Sequence, residues 1–316
     1  MSEIEHSSSE CIEGAEAGSL APGQEWSIEA WRNAGRFFDY CGHQIFYRDT
    51  GEVHKPTLVF LHGFPTSSWD WKDVWNDLEQ SFRLVCFDFL GFGLSDKPTD
   101  LHYSIILQAD LCQALLSSLG IGRYHILAHD YGDTVAQELL ARDNLARAQM
   151  IESCIFLNGG LFPETHKPVF MQKLLLSPLG GLVARLASYK RFRSNFDRIC
   201  AVSLGEDVLQ VHWRLLEQNN GRVVLPKLIH YMRERVRHRE RWVAAMTEYE
   251  RPLRLIDGLD DPISGAHMLG RFKEVVLNAE SVGIAGVGHY PHNEAPKEVL
   301  KAAHEFWDAQ GFARAS

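Results

Sequence analysis

The chain has 316 residues, of which 45% are hydrophobic and 23% are charged, a composition that excludes collagen-like and fully disordered proteins. Its formal charge of -9 argues against a general affinity for nucleic acid or anionic lipid, because each requires a basic surface. No apolar run approaches the ~18 residues of a membrane span, and the N-terminus lacks the pattern of a signal peptide. We therefore expect a cytoplasmic protein with no membrane or nucleic-acid partner.

Short apolar runs predict eight strands, at residues 37–40, 44–48, 57–61, 84–87, 125–128, 151–157, 253–257 and 281–285. The first two are predicted to form a hairpin. Helical spacing alternates with the later strands, at residues 69–80, 104–119, 131–142, 266–273 and 296–310. This alternation is typical of an α/β fold whose parallel strands are buried on both faces.

Residues 159–250 interrupt the alternation, because only helices are predicted there, at 168–176, 182–189, 206–217 and 225–246. An all-helical insertion after the sixth strand predicts a lid. Its arginine cluster, at residues 233–241, is interspersed with Glu234 and Glu240, which favours a solvated helix face over a polyanion site. The predicted organisation is a flexible extension at 1–25, a core at 26–158 and 251–316, and a helical cap at 159–250.

The first chemical motif is Ala128-His129-Asp130-Tyr131-Gly132, which stands where a strand ends and a helix begins. In a nucleophile elbow the central residue occupies a strained turn between small residues, here Ala128 and Gly132. The central residue is Asp130 rather than a serine. The alternative interpretation is an aspartate that only caps the helix beginning at Tyr131.

The second motif is His62-Gly63-Phe64-Pro65, which directly follows the strand at 57–61. Folds with a nucleophile elbow take one oxyanion-hole donor from this position and the other from the residue after the nucleophile. The backbone N–H groups of Phe64 and Tyr131 are therefore the candidate donors. A simple turn is the alternative for this tetrapeptide.

The third element is His289, in Gly286-Val287-Gly288-His289-Tyr290-Pro291 after the last predicted strand. Its position on a loop at the carboxyl edge of the sheet distinguishes it from the other histidines. Asp260 and Asp261 follow the strand at 253–257, and either carboxylate could hold the far nitrogen of an imidazole and stabilise its charged form. The order nucleophile, acid, histidine marks the α/β-hydrolase fold.

The segments HGFPTSSWDW, FDFLGFGLSDKP, HDYGDTVAQELL, LNGGLFPETHKP and GVGHYPHNEAP resemble the epoxide hydrolase and haloalkane dehalogenase branch of the α/β-hydrolase superfamily. Within it the likeness is greatest to the mesoderm-specific transcript protein group. The resemblance extends from about residue 26 to the end. It implies an eight-stranded, mostly parallel sheet flanked by helices, with a helical cap after strand six. It also selects Asp261 at the Asp-Pro step, and it implies neither a cofactor nor a metal.

A carboxylate nucleophile is suited to an sp³ carbon that carries a leaving group. A serine would be left as an ether, which water does not readily cleave, whereas Asp130 would be left as an ester. An ordinary aspartate, with a pKa of about 4, is ionised at neutral pH without a base. His289, oriented by Asp261, is then free to activate water, while the N–H groups of Phe64 and Tyr131 hold the oxyanion.

The leaving group distinguishes two reactions. Dehalogenases of this branch place Asn or Glu after His-Gly and Trp after the nucleophile, whereas this chain has Phe64 and Tyr131 there. The resemblance implies instead two cap tyrosines that hydrogen-bond an epoxide oxygen. Their matches are Tyr231 and, in a segment that departs from the family pattern, Tyr189. Phe64, Tyr131 and Trp69 are expected to line the pocket, although Trp69 also suits a core position.

Together these features predict an epoxide hydrolase that converts a small-molecule epoxide and water to a vicinal diol through an ester on Asp130. A haloalkane or haloacid dehalogenase that uses Asp130, His289 and Asp261 is the alternative enzyme. A non-catalytic binding or scaffold protein is the alternative of another class. Against the last hypothesis, each of the three catalytic positions holds a competent residue.

Overall fold

Eight strands form one sheet in the computed structural model, which describes residues 25–312. They are β1 (Arg36–Tyr40), β2 (His43–Asp49), β3 (Thr57–Leu61), β4 (Arg83–Phe87), β5 (Tyr124–His129), β6 (Ile151–Leu157), β7 (Leu253–Gly258) and β8 (Glu280–Ile284). Their spatial order is β1-β2-β4-β3-β5-β6-β7-β8. The pairs β1–β2 and β2–β4 are antiparallel and the others are parallel. The predicted mostly parallel, eight-stranded sheet is therefore confirmed, whereas the extension predicted at 1–25 lies outside the described residues, except for Glu25.

The register of the parallel strands brings the predicted motifs together. Leu61 at the end of β3 pairs with Ala128 of β5, and Leu157 at the end of β6 pairs with Ile256 of β7. Because the carboxyl ends of parallel strands meet at one edge, the loops after β3, β5, β7 and β8 converge there. This edge is where ligands bind in open α/β sheets.

Fourteen α-helices lie within residues 25–312. They are α1 (Ile28–Asn33), α2 (Lys72–Leu78), α3 (Ile105–Ser118), α4 (Tyr131–Ala146), α5 (Phe170–Leu175), α6 (Gly180–Arg185), α7 (Tyr189–Ile199), α8 (Glu206–Glu217), α9 (Gly221–Leu228), α10 (Tyr231–Arg237), α11 (Arg239–Thr247), α12 (Ala266–Val275), α13 (Pro291–Glu294) and α14 (Pro296–Ala309). Short 3₁₀ turns lie at Ser68–Trp71 and Gln218–Asn220. None of these helices combines the length and the apolar character that crossing a membrane requires.

Helices α5–α11 follow β6 and precede β7, and we call this segment the cap. The single helix predicted at 225–246 is three helices in the structure, α9, α10 and α11. The helix predicted at 182–189 also ends early, because Ser188 has an extended backbone with φ of -130° and ψ of 154°, and α7 begins only after it. The cap is therefore built from short helices that can aim individual side chains at the sheet edge.

Two apolar clusters cover the two faces of the sheet. Val59 and Leu61 belong to the first cluster, whereas Leu58 and Phe60 belong to the second, as expected from the alternation of side chains along a strand. Cap residues such as Trp242 pack into the first cluster. The cap and the core thus share one apolar interior.

A buried carboxylate fastens the end of the cap to α4. Glu138 accepts two hydrogen bonds from Arg241, at 2.8 and 3.0 Å, and one from the indole N–H of Trp242 at 2.8 Å. A second cation, Arg142 of α4 itself, bonds the same carboxylate at 2.8 Å. Charge-assisted bonds of this kind are geometrically specific, so they fix α11, and with it α10, over the start of α4.

Candidate active site

Asp130 occupies a strained turn between β5 and α4. Its φ of 43° and ψ of -98° lie outside the regions that non-glycine residues favour. The turn brings Gly132 against β3, where a Cβ would lie only 2.1 Å from the carbonyl oxygen of Leu61. The Asp130 side chain makes no capping hydrogen bond to α4, which disfavours the helix-cap alternative. The geometry is that of a nucleophile elbow.

One predicted oxyanion donor contacts the carboxylate directly. The backbone N–H of Phe64 donates to Asp130 Oδ2 at 3.2 Å. Tyr131 is the first residue of α4, so its N–H has no acceptor within the helix. The Phe64 N–H therefore contacts the Asp130 carboxylate, and the Tyr131 N–H, in the next residue along the chain, is not used by the helix.

His289 and Asp261 form a buried pair. His289 Nδ1 lies 2.7 Å from Asp261 Oδ2, whereas Asp260, the other carboxylate considered, makes no such contact. Burial alone would lower the pKa of His289, but the charge and hydrogen bond of Asp261, helped by Asp130, raise it to about 9. The imidazole is therefore protonated at neutral pH while Asp130 is ionised.

Asp261 is held by several donors. The N–H and hydroxyl groups of Ser264 donate to Oδ2 at 3.1 and 2.7 Å, and the N–H of Ile263 donates to Oδ1 at 2.8 Å. The amide of Asn158, at the end of β6, adds a bond of 3.2 Å. Burial would raise the pKa of Asp261, yet His289 and these donors lower it to about 2. The carboxylate thus stays charged and fixed.

Arg235 of α10 is a cap residue that sequence reasoning assigned to a solvated face, and this assignment was wrong. Only 3% of its side chain is exposed. Its Nη2 donates to the carbonyl oxygen of Asp130 at 2.8 Å and lies 3.3 Å from Oδ1, and its Nε donates to Thr134 Oγ1 at 2.7 Å. Gly160 makes room for it, because a Cβ there would meet Arg235 Nη1 at 2.2 Å.

The site has balanced charges. Burial would raise the pKa of Asp130, but Arg235 and then His289 outweigh burial and lower it. Two neighbouring buried carboxyls behave differently: burial and the charge of Asp130 raise the pKa of Asp133 well above its usual value, and burial with Asp261 raises that of Asp257 to about 9. The negative charges of the site are therefore those of Asp130 and Asp261.

Tyr231 lies at the site. Its ring centroid is 4.9 Å from that of Tyr131 and 6.0 Å from that of Phe64, and the guanidinium of Arg235 lies 4.5 Å from its ring. Its hydroxyl is buried without a hydrogen-bond partner among the described residues. Burial and the charge of Asp130 raise the pKa of Tyr231, so that the hydroxyl is a protonated, available donor.

The structure does not bring Tyr189 to the site. At the start of α7, its hydroxyl donates to Glu206 Oε1 at 2.7 Å on the exposed side of the cap. Its ring faces Trp213 at 6.3 Å. The sequence assignment of Tyr189 as a second ring-opening residue is corrected for this reason.

An apolar cavity leads from the cap to the site. Phe64 and His289 line its core end, and most of the other lining side chains are apolar residues of the cap, among them Leu175 and Phe192. Tyr131, also predicted to line the pocket, does not line this cavity, and its ring packs instead against those of Phe89 and Phe92. Trp69 does not line the cavity either. It lies instead in the second apolar cluster, with its ring 5.2 Å from that of His212, so its predicted place in the pocket is corrected to a core position.

Asp70, His129 and His292 could hold a metal ion, because their ligand atoms lie within 4.8 Å of one another. All three are buried behind the catalytic pair, and His129 Nε2 contacts the carbonyl oxygen of His289 at 2.8 Å. Burial, then the charge of His289, lowers the pKa of His129 to about 3, which keeps its ring neutral. The group therefore supports the backbone of His289 and does not face the cavity.

Replacing Arg235 with Met should shift the acid limb of the pH–rate profile upward. Removing the cation raises the pKa of Asp130, so a higher pH is needed to ionise the nucleophile. We also expect the chemical step to slow by about tenfold, because the carboxylate loses its orientation. The measurement is kcat/KM against pH for a hydrolysed substrate.

Two variants separate charge from packing. Arg235→Lys keeps the cation, so the acid limb of its pH–rate profile should lie close to that of the wild type. Arg237→Met removes an exposed arginine from the same helix and should change neither quantity. A folded Arg235→Met protein with an unmoved acid limb would contradict the role assigned to Arg235.

Comparisons with known proteins identify the family of this chain. A model of the alpha/beta hydrolase family matches residues 58–302. The mesoderm-specific transcript homolog protein of Bos taurus is 40% identical over 289 residues, covering 87% of this chain and 86% of that protein. Haloalkane dehalogenase 2 of Mycobacterium bovis is 25% identical over 281 residues, covering 85% and 93%. The crystal structure of haloalkane dehalogenase DbeA from Bradyrhizobium elkani has a TM-score of 0.74 at 21% identity, covers 89% of this chain and 99% of that one, and shows the fold alone. The chain belongs to the alpha/beta hydrolase family and is similar to the mesoderm-specific transcript proteins.

Proposed function

We propose that this protein is an epoxide hydrolase that uses Asp130 as its nucleophile. The observation that carries the proposal is the Tyr231 hydroxyl, a buried donor without a partner beside an ionised carboxylate. An epoxide needs both groups at once, because ring opening converts its oxygen into an alkoxide that must be hydrogen-bonded and protonated. The apolar cavity that ends at Phe64 and His289 suits a substrate with a hydrocarbon body.

In the first step a carboxylate oxygen of Asp130 attacks one epoxide carbon, and the C–O bond of the ring breaks. The electron pair goes to the epoxide oxygen, which takes a proton from Tyr231. The product is a hydroxyalkyl ester on Asp130, and no atom leaves the site. Arg235 holds Asp130 in place during the attack, because its Nη2 donates to the backbone carbonyl oxygen at 2.8 Å and lies 3.3 Å from Oδ1 of the carboxylate.

The second step is hydrolysis of that ester at the carbonyl carbon of Asp130. Esterification removes the negative charge that helps to raise the pKa of His289, so this pKa falls. The imidazolium then gives up its proton to solvent, the Tyr231 phenoxide takes one up and becomes a phenol again, and the neutral imidazole is a competent base. His289 then takes a proton from water, while the N–H groups of Phe64 and Tyr131 hold the oxyanion. Collapse of this intermediate releases the diol and regenerates the Asp130 carboxylate.

A dehalogenase is the second candidate, and one observation favours it. The chain is 25% identical over 281 residues to haloalkane dehalogenase 2 of Mycobacterium bovis. The same ester and the same His289–Asp261 pair would complete the reaction.

Two substrate panels test the proposal. Terminal, cyclic and aryl epoxides are assayed for diol formation, and short chloro- and bromoalkanes are assayed for halide release. We expect diol from at least one epoxide class. Halide release without epoxide turnover would reverse the order of the two candidates. Inactivity toward both panels, with substrate analogues still bound, would favour the non-catalytic alternative.

Replacing Tyr231 with Phe should slow epoxide turnover by about 10²-fold, because a general acid contributes at least that much. The loss should fall on kcat for epoxides and should be small for a haloalkane, whose leaving group needs no proton. Tyr189→Phe is the matched control and should leave kcat unchanged, since that hydroxyl bonds Glu206 at the surface. Equal activity of Tyr231→Phe and wild type on epoxides would exclude Tyr231 as the acid.

A further inference from the structure

The charge of the cap differs from that of the whole chain. Residues 165–196 contain six basic side chains and no Asp or Glu, although the chain carries a formal charge of -9. The basic residues are Lys167, Lys173, Arg185, Lys190, Arg191 and Arg193, and all six are exposed. Among the described residues only Arg193 of this set has ion-pair partners, Glu206 at 2.8 Å and Asp197 at 3.9 Å. The segment is therefore a local cationic surface on an acidic protein.

The same segment exposes large apolar side chains. Phe170 is 70% exposed, Leu179 60%, Leu182 58% and Leu186 61%. The three leucines are spaced three and four residues apart, so they share one side of α6, while Ala184 on the other side is fully buried. Scattered apolar residues are normal on a surface, but a clustered set rimmed by cations marks an interaction site.

The apolar and basic residues surround one region of the cap. Phe170 of α5 lines a surface groove together with Lys190 and Arg191 of α7. Helix α6 packs beside them, since Val183 and Ala184 line the main cavity with Arg191. We call the exposed residues of segment 165–196 the cap surface.

We propose that the cap surface docks onto an anionic lipid bilayer. Apolar side chains that enter the headgroup boundary, surrounded by Lys and Arg that meet lipid phosphates, are the features of interfacial helices. The net charge of -9 argues against lipid binding by the protein as a whole. Electrostatic attraction to a membrane surface decays within about 10 Å at moderate salt, so binding depends on the local charge of the cap surface. A protein partner is disfavoured because the segment itself carries no acidic residue for the mixed-sign pairing that specific protein interfaces use, and its acidic neighbours Glu164, Asp197 and Glu206 are already paired with arginines.

The helices that carry the cap surface also line the cavity. Helices α5, α6 and α7 supply Met171, Val183 and Phe192 to the lining that ends at His289. A protein docked by this surface would open its apolar cavity toward the bilayer. Lipophilic substrates would then reach the site from the membrane, whichever of the two reactions the site performs.

Co-sedimentation of the full chain with vesicles tests the proposal. We expect binding to vesicles of equal parts phosphatidylcholine and phosphatidylglycerol, weak binding to phosphatidylcholine alone, and release by high salt. Two double variants should each weaken vesicle binding by about tenfold. One combines Leu182→Ser with Leu186→Ser, and the other combines Lys173→Glu with Lys190→Glu. The altered side chains are exposed, so turnover of a water-soluble substrate should persist and report correct folding.

Leu145→Ser with Leu277→Ser is the matched control, because both leucines are 80% exposed but lie on the core. This pair should leave vesicle binding unchanged. The proposal is overturned if the wild type does not sediment with the anionic vesicles at low salt, or if the control pair and the cap variants lower binding equally. It is also overturned if the cap variants change only the oligomeric state, which would make the cap surface an interface between two copies.

Discussion

Replacing Asp130 with Asn should reduce turnover by at least about 10⁴-fold, the cost of removing a covalent nucleophile. The amide is nearly isosteric, so the Phe64 N–H can still bond the oxygen that replaces Oδ2. What is lost is the anion that attacks carbon. The measurement is kcat on the best epoxide or haloalkane found in the panel, with intact mass recorded for the protein used.

Two further variants make that result specific. Asp130→Ala guards against slow hydrolysis of the new amide back to aspartate, since the site is built to hydrolyse a carbonyl at this position. Asp133→Asn changes a carboxyl that is already neutral in the fold, so turnover should persist. In wild type, a single turnover in ¹⁸O-water should label Asp130 first. Label found only in the product would exclude the covalent ester.

The sequence predicted the sheet and the elbow because both depend on local patterns. Apolar runs of four to seven residues bounded by turn residues are distinctive, and Asp130 stands between the small residues that a strand-to-helix turn requires. Once the strand order of the family is assumed, the positions of Phe64 and His289 follow, because each lies on the loop after the carboxyl end of a parallel strand. Position along the chain was therefore sufficient to predict that these residues lie at the site.

Side-chain direction within the cap was not predictable in the same way. Short amphipathic helices pack in many orientations, and Tyr189 turns toward Glu206 while Tyr231 turns toward the core. Arg235 was missed because Glu234 and Glu240 are interspersed in the arginine cluster, a pattern that indicates a solvated face and that holds for the exposed Arg233 and Arg237. One signal was present: Arg235 lies four residues after Tyr231, on the same face of a helix.

In the proposed reaction, the order of protonation links these residues into a cycle. In the free enzyme Asp130 is an anion and its charge helps to keep His289 protonated, so His289 does not act as a base before an ester exists. After alkylation that anion is gone and the pKa of His289 falls. The base is thus released by the first step, while Asp261, with its pKa near 2, keeps the imidazole oriented throughout.

Replacing His289 with Gln should stop the cycle after this first step and accumulate the ester on Asp130. Attack needs no base, whereas ester hydrolysis loses a general base worth about 10²- to 10⁴-fold. Intact-mass spectrometry after mixing with substrate should show one adduct per chain, and peptide mapping should place it on Asp130. His54→Gln, at an exposed loop position, should show no adduct.

The mass of that adduct distinguishes the two candidate reactions. Epoxide opening loses no atom, so the protein should gain the full mass of the epoxide, whereas displacement of a halide adds the alkyl group without the halogen. An epoxide and a haloalkane of similar carbon skeleton are each mixed with the same variant, so that the two adduct masses are compared at one nucleophile. If His289→Gln accumulates no adduct with any substrate that the wild type converts, Asp130 is not the covalent nucleophile and the mechanism proposed for this site is wrong.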